Sequence, residues 1–270
     1  MSDLVDVVVY GSSGRMGQAV VRAILESDEA RLSCALVRPG SGLADEPLDR
    51  VFGTLPRVVD FSTALDPDAP CDVLVDFSGP HAFDAALALA VQRRAAFVSG
   101  TTGLRDDQRH ALERAAQTIP VLWAANFSLG VAMLLRMAKR IGAALPDWDC
   151  EILEMHHGRK QDAPSGTALA LGQAVAESRG STLPERAVFA RIDKAGPRQS
   201  GEIGFAVLRG GDVAGEHTVL FSTAGERLEI THRAASRDIF ARGALVAALW
   251  IAHREPRVYS IDEVLSRGSV

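Results

Sequence analysis

An apolar run, Val5 to Tyr10, passes directly into Gly11-Ser12-Ser13-Gly14-Arg15-Met16-Gly17 and on into a helical pattern from Arg15 to Leu25. Few folds accept a strand that turns through glycines into a helix so early in the chain. Glycines at such a turn permit a tight reversal, close approach of a pyrophosphate to the backbone, and close packing of the helix. Unpaired amides and the helix dipole favour an anion at the same place. The setting predicts a βαβ unit that holds a dinucleotide; a plain strand-to-helix turn is the competing reading of the GxxGxxG spacing.

The alternation continues downstream. Leu32 to Val37, Cys71 to Phe77, Ala95 to Ser99 and Ile119 to Ala124 read as strands, with helices over Ala82 to Gln92 and Asp106 to Gln117 between them. This rhythm predicts a parallel sheet with helices on both faces. Beyond a helix over Leu129 to Ala144 the pattern shifts toward strands, at Asp149 to Met155, Ala187 to Ile192, Glu202 to Leu208, His217 to Phe221 and Arg227 to Thr231. Only Gly166 to Ser178 reads as a helix among them. Turn signals at Arg209-Gly210-Gly211-Asp212 and Ala224-Gly225-Glu226 suggest hairpins in a mixed or antiparallel sheet. The final helix, Asp238 to His253, is apolar on one side and is expected to return to the first domain. The fold class expected is therefore α/β: a Rossmann-like dinucleotide-binding domain with a parallel sheet, residues 1–127 and 238–270, split by an inserted α+β domain at 128–237. A chain of 270 residues has room for both.

Charge and composition remove several functions. Lys and Arg number 29 against 34 Asp and Glu, a net charge of −5, so no surface is set up to neutralise a nucleic-acid backbone. Apolar stretches break at charged residues well before the roughly 18 to 20 that a membrane span needs. The acidic N-terminus does not resemble a secretory signal, and a cytoplasmic location is expected. Cys34, Cys71 and Cys150 are too few and too scattered for a disulfide framework or zinc knuckle and read as core thiols.

Several strand ends carry candidate cofactor contacts. The second strand ends at Arg38 with no acid before Asp45 to hold ribose hydroxyls, which makes Arg38 a candidate for the 2'-phosphate of NADPH; a solvated strand-end arginine is the competing reading. Gly100-Thr101-Thr102-Gly103 and Ala124-Ala125-Asn126-Phe127-Ser128 follow two further strands, and their small, hydroxyl and carboxamide residues suit a nicotinamide. Asp76-Phe77-Ser78 ends a strand in the same manner.

The densest constellation is Glu154-Met155-His156-His157-Gly158-Arg159-Lys160-Gln161-Asp162-Ala163-Pro164-Ser165-Gly166-Thr167. It holds one of only three lysines in the chain, two adjacent histidines, and a Pro-Ser-Gly-Thr helix start whose amides suit an anion. Histidine supplies a proton near neutrality and lysine a fixed positive charge. This reads as a proton-donating, carboxylate-binding loop. The competing readings are an inert surface loop and a metal site, for which only Asp162 stands at usual ligand spacing; no metal is expected. His81, His110 and His253 read as surface or cap residues, while His217 and His232 fall on strands of the second domain.

With its Gly-x-x-Gly-Arg-Met-Gly turn and its Glu-x-His-His-x-x-Lys-x-Asp-Ala-Pro-Ser-Gly-Thr segment, the chain resembles the 4-hydroxy-tetrahydrodipicolinate (dihydrodipicolinate) reductases of diaminopimelate and lysine biosynthesis. Gly204-Phe205, Arg209 to Thr218 and Glu226 to His232 share in the resemblance. It implies His156 as proton donor with Lys160 as catalytic partner, and His157, Lys160, Gly166 and Thr167 as holders of the dicarboxylate substrate. It further implies cofactor contacts from Gly11, Ser12, Ser13, Gly14, Arg15 and Met16, from Gly100, Thr101 and Thr102, and from Ala124, Ala125, Asn126 and Phe127. Family members often carry an acid where this chain has Val37, so NADPH is expected in preference to NADH. A homotetramer is implied as well, and closure about hinges near Phe127 to Gly130 and Ser236 to Asp238 is expected to assemble the site. Two rivals stand beside this reading. One is another NADP-dependent two-domain dehydrogenase, such as a semialdehyde enzyme with a nucleophilic cysteine; the other is a nucleotide sensor without turnover.

Overall fold

The computed structural model describes residues 4–53, 59–192 and 196–266. The chain divides into two compact units, one formed by 1–128 with 238–270 and the other by 129–237.

In the first unit, β1 (Val5–Tyr10) leads into α1 (Arg15–Leu25) and β2 (Ala30–Leu36). Next come α2 (Asp49–Phe52), β3 (Phe61–Ser62), β4 (Val73–Asp76), α3 (Phe83–Arg93), β5 (Ala96–Ser99), α4 (Asp106–Ala115) and β6 (Val121–Trp123). The second unit runs α5 (Leu129–Ala144), β7 (Asp149–His156), α6 (Gly166–Ser178), α7 (Leu183–Arg186), β8 (Ala187–Val188), β9 (Ile203–Arg209), β10 (Gly215–Thr223) and β11 (Glu226–Ala234). Then α8 (Asp238–Ile251), β12 (Val258–Tyr259) and α9 (Ile261–Val264) complete the first unit.

The first unit's sheet has the order β12-β6-β5-β4-β1-β2-β3 with all neighbours parallel, the doubly wound arrangement expected of the alternating pattern. Val8, Leu74, Phe97 and Val121 lie beneath α3 and α4 in one buried cluster. Their neighbours along the strands, Val7, Val9, Val73, Val75 and Val98, are just as buried. A strand covered on both faces needs such continuous β-branched runs, which is why they could be read from the sequence. Helix α8 packs on α1 and against β4, β5 and β6. Gly243 makes that approach possible, because a Cβ there would lie 1.8 Å from the carbonyl oxygen of Phe127.

In the second unit the sheet order is β11-β10-β7-β9-β8, with β9 parallel to β7 and β10 antiparallel to it. Cys150, Ile152, Ile203, Phe205, Val219 and Phe221 form the inner face, covered by Leu134 and Ala138 of α5 and by Leu171 and Val175 of α6. On the other face Leu153 and Leu208 are exposed and Met155 and Leu220 half-buried.

Two expectations need correction here. Arg209 to Asp212 joins β9 to β10, which are not neighbours because β7 lies between them, so only the turn at Ala224 to Glu226 closes a hairpin. The strand expected over Ala187 to Ile192 ends at Val188; Phe189 and Ile192 are 54% and 80% exposed, and their apolar character is not spent on pairing. The short strands β3 and β12 gave no sequence signal. Among the described residues, no helix is long and apolar enough to cross a membrane.

Candidate active site

Register aligns the strand ends of the first unit. Ser62, Leu36, Tyr10, Asp76, Ser99 and Trp123 are successive partners across the sheet. The segments after β1, β4, β5 and β6 therefore leave from one edge, where open α/β sheets bind ligands. This brings the Gly11 to Met16 turn together with Phe77-Ser78, Gly100 to Thr102 and Ala124 to Phe127. Arg38 stands just past the end of β2 on the same edge and is exposed.

Asp76 knits these loops together. Fully buried, it accepts hydrogen bonds from the Ser78 amide (3.0 Å) and hydroxyl (2.6 Å), from Ser99 Oγ (2.8 Å) and from Thr101 Oγ1 (2.8 Å). Thr101 also receives Trp123 Nε1 on its carbonyl at 2.8 Å. A carboxylate so placed is satisfied by neutral donors and ties the segment after β4 to the one after β5. Sequence reading treated Asp76 only as one more strand-end residue.

The glycine turn fits a dinucleotide. Gly11 has φ +85°, and a Cβ on it would come within 2.7 Å of Ser78 Cα; one on Gly17 would come within 2.2 Å of the Gly11 carbonyl. Gly14 caps α1 without a side-chain acceptor, and no acid occupies the first turn, so Arg15 and Met16 open the helix with their amides uncommitted to a cap. Ser12 differs from its neighbours. Its amide donates to the Leu36 carbonyl (2.9 Å) and its hydroxyl to the Val9 carbonyl (2.7 Å), so it shapes the turn from within. Phe127 is buried edge-on against Phe77 with centroids 5.7 Å apart, and Asn126 Oδ1 accepts the Ser128 amide at 2.8 Å.

The second unit carries the histidine segment. Strand alternation puts Glu154 and His156 on the same inner face as Cys150 and Ile152. That face turns polar where it meets the start of α6. Glu154 is paired in register with His217 of β10, and His156 with Arg209 of β9. The Glu154 carboxylate, 2% exposed, contacts His156 Nδ1 and accepts Arg209 Nη1 (3.0 Å), Arg209 Nη2 (2.9 Å) and the Ser165 amide (3.0 Å). Ser165 Oγ caps α6 by accepting from the Ala168 amide (3.2 Å) and pairs with His217 Nε2 at 3.0 Å. The His156 and His217 rings stack edge to face at 5.2 Å, and a Cβ on Gly215 would lie 3.0 Å from His156 Nε2.

Electrostatics follow from this packing. Burial alone would raise the Glu154 carboxyl, but hydrogen bonds from Arg209, His156 and Ser165 outweigh it and hold the group below the usual range. Burial pushes His156 below its ordinary value, with Lys160 and Arg209 adding to the fall and Glu154 opposing it. His217 is pushed down to about 4, first by burial and then by His156.

Lys160, its side chain 21% exposed, is held through Nζ by both oxygens of Asp162 at 2.8 Å. Asp162, weighed from spacing as a metal ligand, is instead the lysine's partner. His157 Nδ1 is buried without a hydrogen-bond partner among the described residues. A Cβ on Gly166 would meet nothing within 4 Å, so space stands open beside the first turn of α6 that Gly166 and Thr167 begin. The residues of this segment thus come together at one strand end and one helix start.

Glu154, His156 and His217 lie close enough to share an ion, two of which spacing did not bring beside His156 as ligands. Arg209 occupies both oxygens of Glu154, which opposes a cation there. Cys150 is fully buried and its thiol is pushed up to about 12 by burial, so it supplies no thiolate for the acyl-forming rival.

Comparison with known proteins is consistent along the chain. Family models described as dihydrodipicolinate reductase, N-terminus, and dihydrodipicolinate reductase, C-terminus, match residues 5–127 and 130–265. The 4-hydroxy-tetrahydrodipicolinate reductase of Stenotrophomonas maltophilia is 46% identical over 260 residues, 96% of this chain and 97% of its own. That of Pseudoalteromonas atlantica is 42% identical over 261 residues, 96% of this chain and 98% of its own. Among solved structures, a dipicolinate-bound dihydrodipicolinate reductase from Paenisporosarcina sp. TG-14 matches with a TM-score of 0.75 at 25% identity, covering 96% of this chain and 98% of that one. The DAP dehydrogenase of C. glutamicum, at 15% identity and TM-score 0.54, shares the fold.

Proposed function

Because the chain belongs to the dihydrodipicolinate reductase family and reduces 4-hydroxy-tetrahydrodipicolinate with a nicotinamide cofactor in lysine biosynthesis, we propose that His156 is its proton donor and that NADPH is its preferred reductant. The observation that carries the site assignment is the convergence of His156, His157, Lys160 and the α6 start around the inner end of β7.

The substrate is a cyclic imine with two carboxylates. Reduction requires loss of water, a hydride at ring C4 and a proton at the adjacent carbon; the nicotinamide supplies the hydride when bound. Lys160 exchanges Asp162 for a substrate carboxylate, and the opening turn of α6 at Gly166 and Thr167 takes the same charge by its dipole. His157, whose buried Nδ1 has no hydrogen-bond partner among the described residues, adds a hydrogen bond. His156 is held below its ordinary pKa in the free protein, and a dianion beside the ring raises it. Substrate binding and protonation of the donor are thereby linked.

For the cofactor, the Gly11 to Met16 turn holds the pyrophosphate, Arg38 the 2'-phosphate, and Gly100 to Thr102 with Ala124 to Phe127 the nicotinamide. A chain with an arginine and no acid at the end of β2 favours the phosphorylated cofactor. NADH serves less well. The uncovered face of the second sheet, with exposed Leu153 and Leu208, supports the homotetramer as its occupant.

The test is NADPH oxidation, followed at 340 nm, on adding enzymatically generated substrate, with NADH in parallel. A higher kcat/KM for NADPH is expected. Equal or better efficiency with NADH overturns the preference, and no oxidation with either overturns the reaction.

A further inference from the structure

We propose that Glu154 is a positioning residue that couples the proton donor to the substrate-binding helix start, with Arg209 as the clamp that keeps its charge from repelling the substrate. The proposal rests on the reaction described above.

Four observations converge on this one carboxylate. It is almost wholly buried, inside a site that has to admit a dianion, where an uncompensated negative charge would oppose binding. Arg209 neutralises it through two parallel hydrogen bonds of 3.0 and 2.9 Å, and Arg209 Nη2 also donates to the Asp162 carbonyl at 2.7 Å. Its Oε2 faces His156 Nδ1, so Nδ1 carries hydrogen and Nε2 is the atom left to hold the transferable proton. Its Oε1 accepts the Ser165 amide, the residue that caps α6. One rigid group therefore sets the tilt of the donor ring and the position of the helix start that takes the substrate carboxylate.

The charged and titratable groups that face the His156 ring are Glu154 on its own strand, Arg209 from β9, His217 from β10 and Lys160 from the following loop. Among the described groups Glu154 alone favours the imidazolium. Removing its charge leaves Lys160 and Arg209, which disfavour it.

Glu154→Gln keeps the size and an acceptor for Ser165 but presents an amide to Nδ1. Steady-state kinetics are expected to show kcat lower by roughly 10- to 100-fold. The protonated ring is the active form, so kcat falls as pH rises, and in Glu154→Gln that fall occurs at lower pH than in the wild type. NADPH affinity stays within about two-fold, because the cofactor turn belongs to the other unit. An NMR titration of the His156 ring in the free protein is expected to move to lower pH by the same substitution, independently of turnover. Unmoved kinetic and NMR profiles overturn the proposal and leave Glu154 a structural residue. If the wild type turns over no substrate, the reaction reading fails while the NMR comparison still decides the positioning role. Should Glu154→Gln not fold, Arg209→Met is the second arm: the unclamped carboxylate is expected to raise KM for the dicarboxylate about ten-fold with a smaller change in kcat, and an unchanged KM overturns the clamp.

Discussion

At the scale of single residues, the site is built on a trade between burial and charge. His156→Gln is expected to lower kcat by about 10²- to 10⁴-fold while leaving NADPH affinity unaltered, as measured by turnover and by cofactor fluorescence titration. Near wild-type turnover would remove His156 from the proton step. His217 makes a different prediction, about stability. Its pKa is depressed from 6.5 to about 4 in the folded chain, so the unfolded chain binds the proton more readily between those values. Stability is therefore full above pH 6.5 and lost as pH falls toward 4, by on the order of 3 kcal/mol. Glu154 and His156, both held low as well, act with the same sign. His217→Gln, which keeps a partner for Ser165, is expected to flatten the acid side of urea-unfolding stability against pH; an unchanged slope would assign the acid loss elsewhere. His156, His157, Lys160 and the Ser165 cap were legible beforehand because they share one short segment. Arg209 was not, because it reaches Glu154 from 55 residues away and its own surroundings read as a strand end and a turn, with nothing to tie it to the histidine segment.

At the scale of elements, the two helix starts are expected to respond separately. Gly17→Ala drives a methyl to within 2.2 Å of the Gly11 carbonyl, so the turn must open and NADPH binding by calorimetry should weaken more than ten-fold, with dicarboxylate binding at the other unit little affected. Ser165→Ala removes the acceptor for the Ala168 amide and the partner of His217, at a cost of about 1 kcal/mol in unfolding experiments. The parallel strands were legible because burial on both faces demands unbroken apolar runs, and the glycine turn because its context was complete. Turn chemistry announces that the chain reverses without saying which strand lies alongside, which is why Arg209 to Asp212 was misread as a hairpin. Phe189 and Ile192 have strand-forming side chains but stand largely in solvent. Two-residue strands such as β3 and β12 are defined by neighbours alone, and their own residues hold no periodicity to find.

At the scale of the whole molecule, a net charge of −5 has to coexist with two anionic ligands. On the proposed reading, attraction comes from local features, Arg38, Lys160 and two helix starts, whose reach is about a Debye length. KM for both ligands is accordingly expected to rise between low and high salt. Arg38→Ala should lower kcat/KM for NADPH about ten-fold with little effect on NADH, and an equal loss for both cofactors would take Arg38 away from the 2'-phosphate. Leu153→Glu on the uncovered sheet face is expected to shift the sedimenting species to smaller size if that face joins subunits. The split first unit also has a consequence in time. On a ribosome, β1 to β6 emerge first, yet α8, which covers β4, β5 and β6, follows only after the whole of 129–237 has been made. At ordinary elongation rates of about 5 to 20 residues per second, that interval lasts roughly 5 to 20 seconds. For that long β4, β5 and β6 wait uncovered on the α8 side, and the inserted unit is complete before α8 arrives, so the order of birth and the order of completion are reversed.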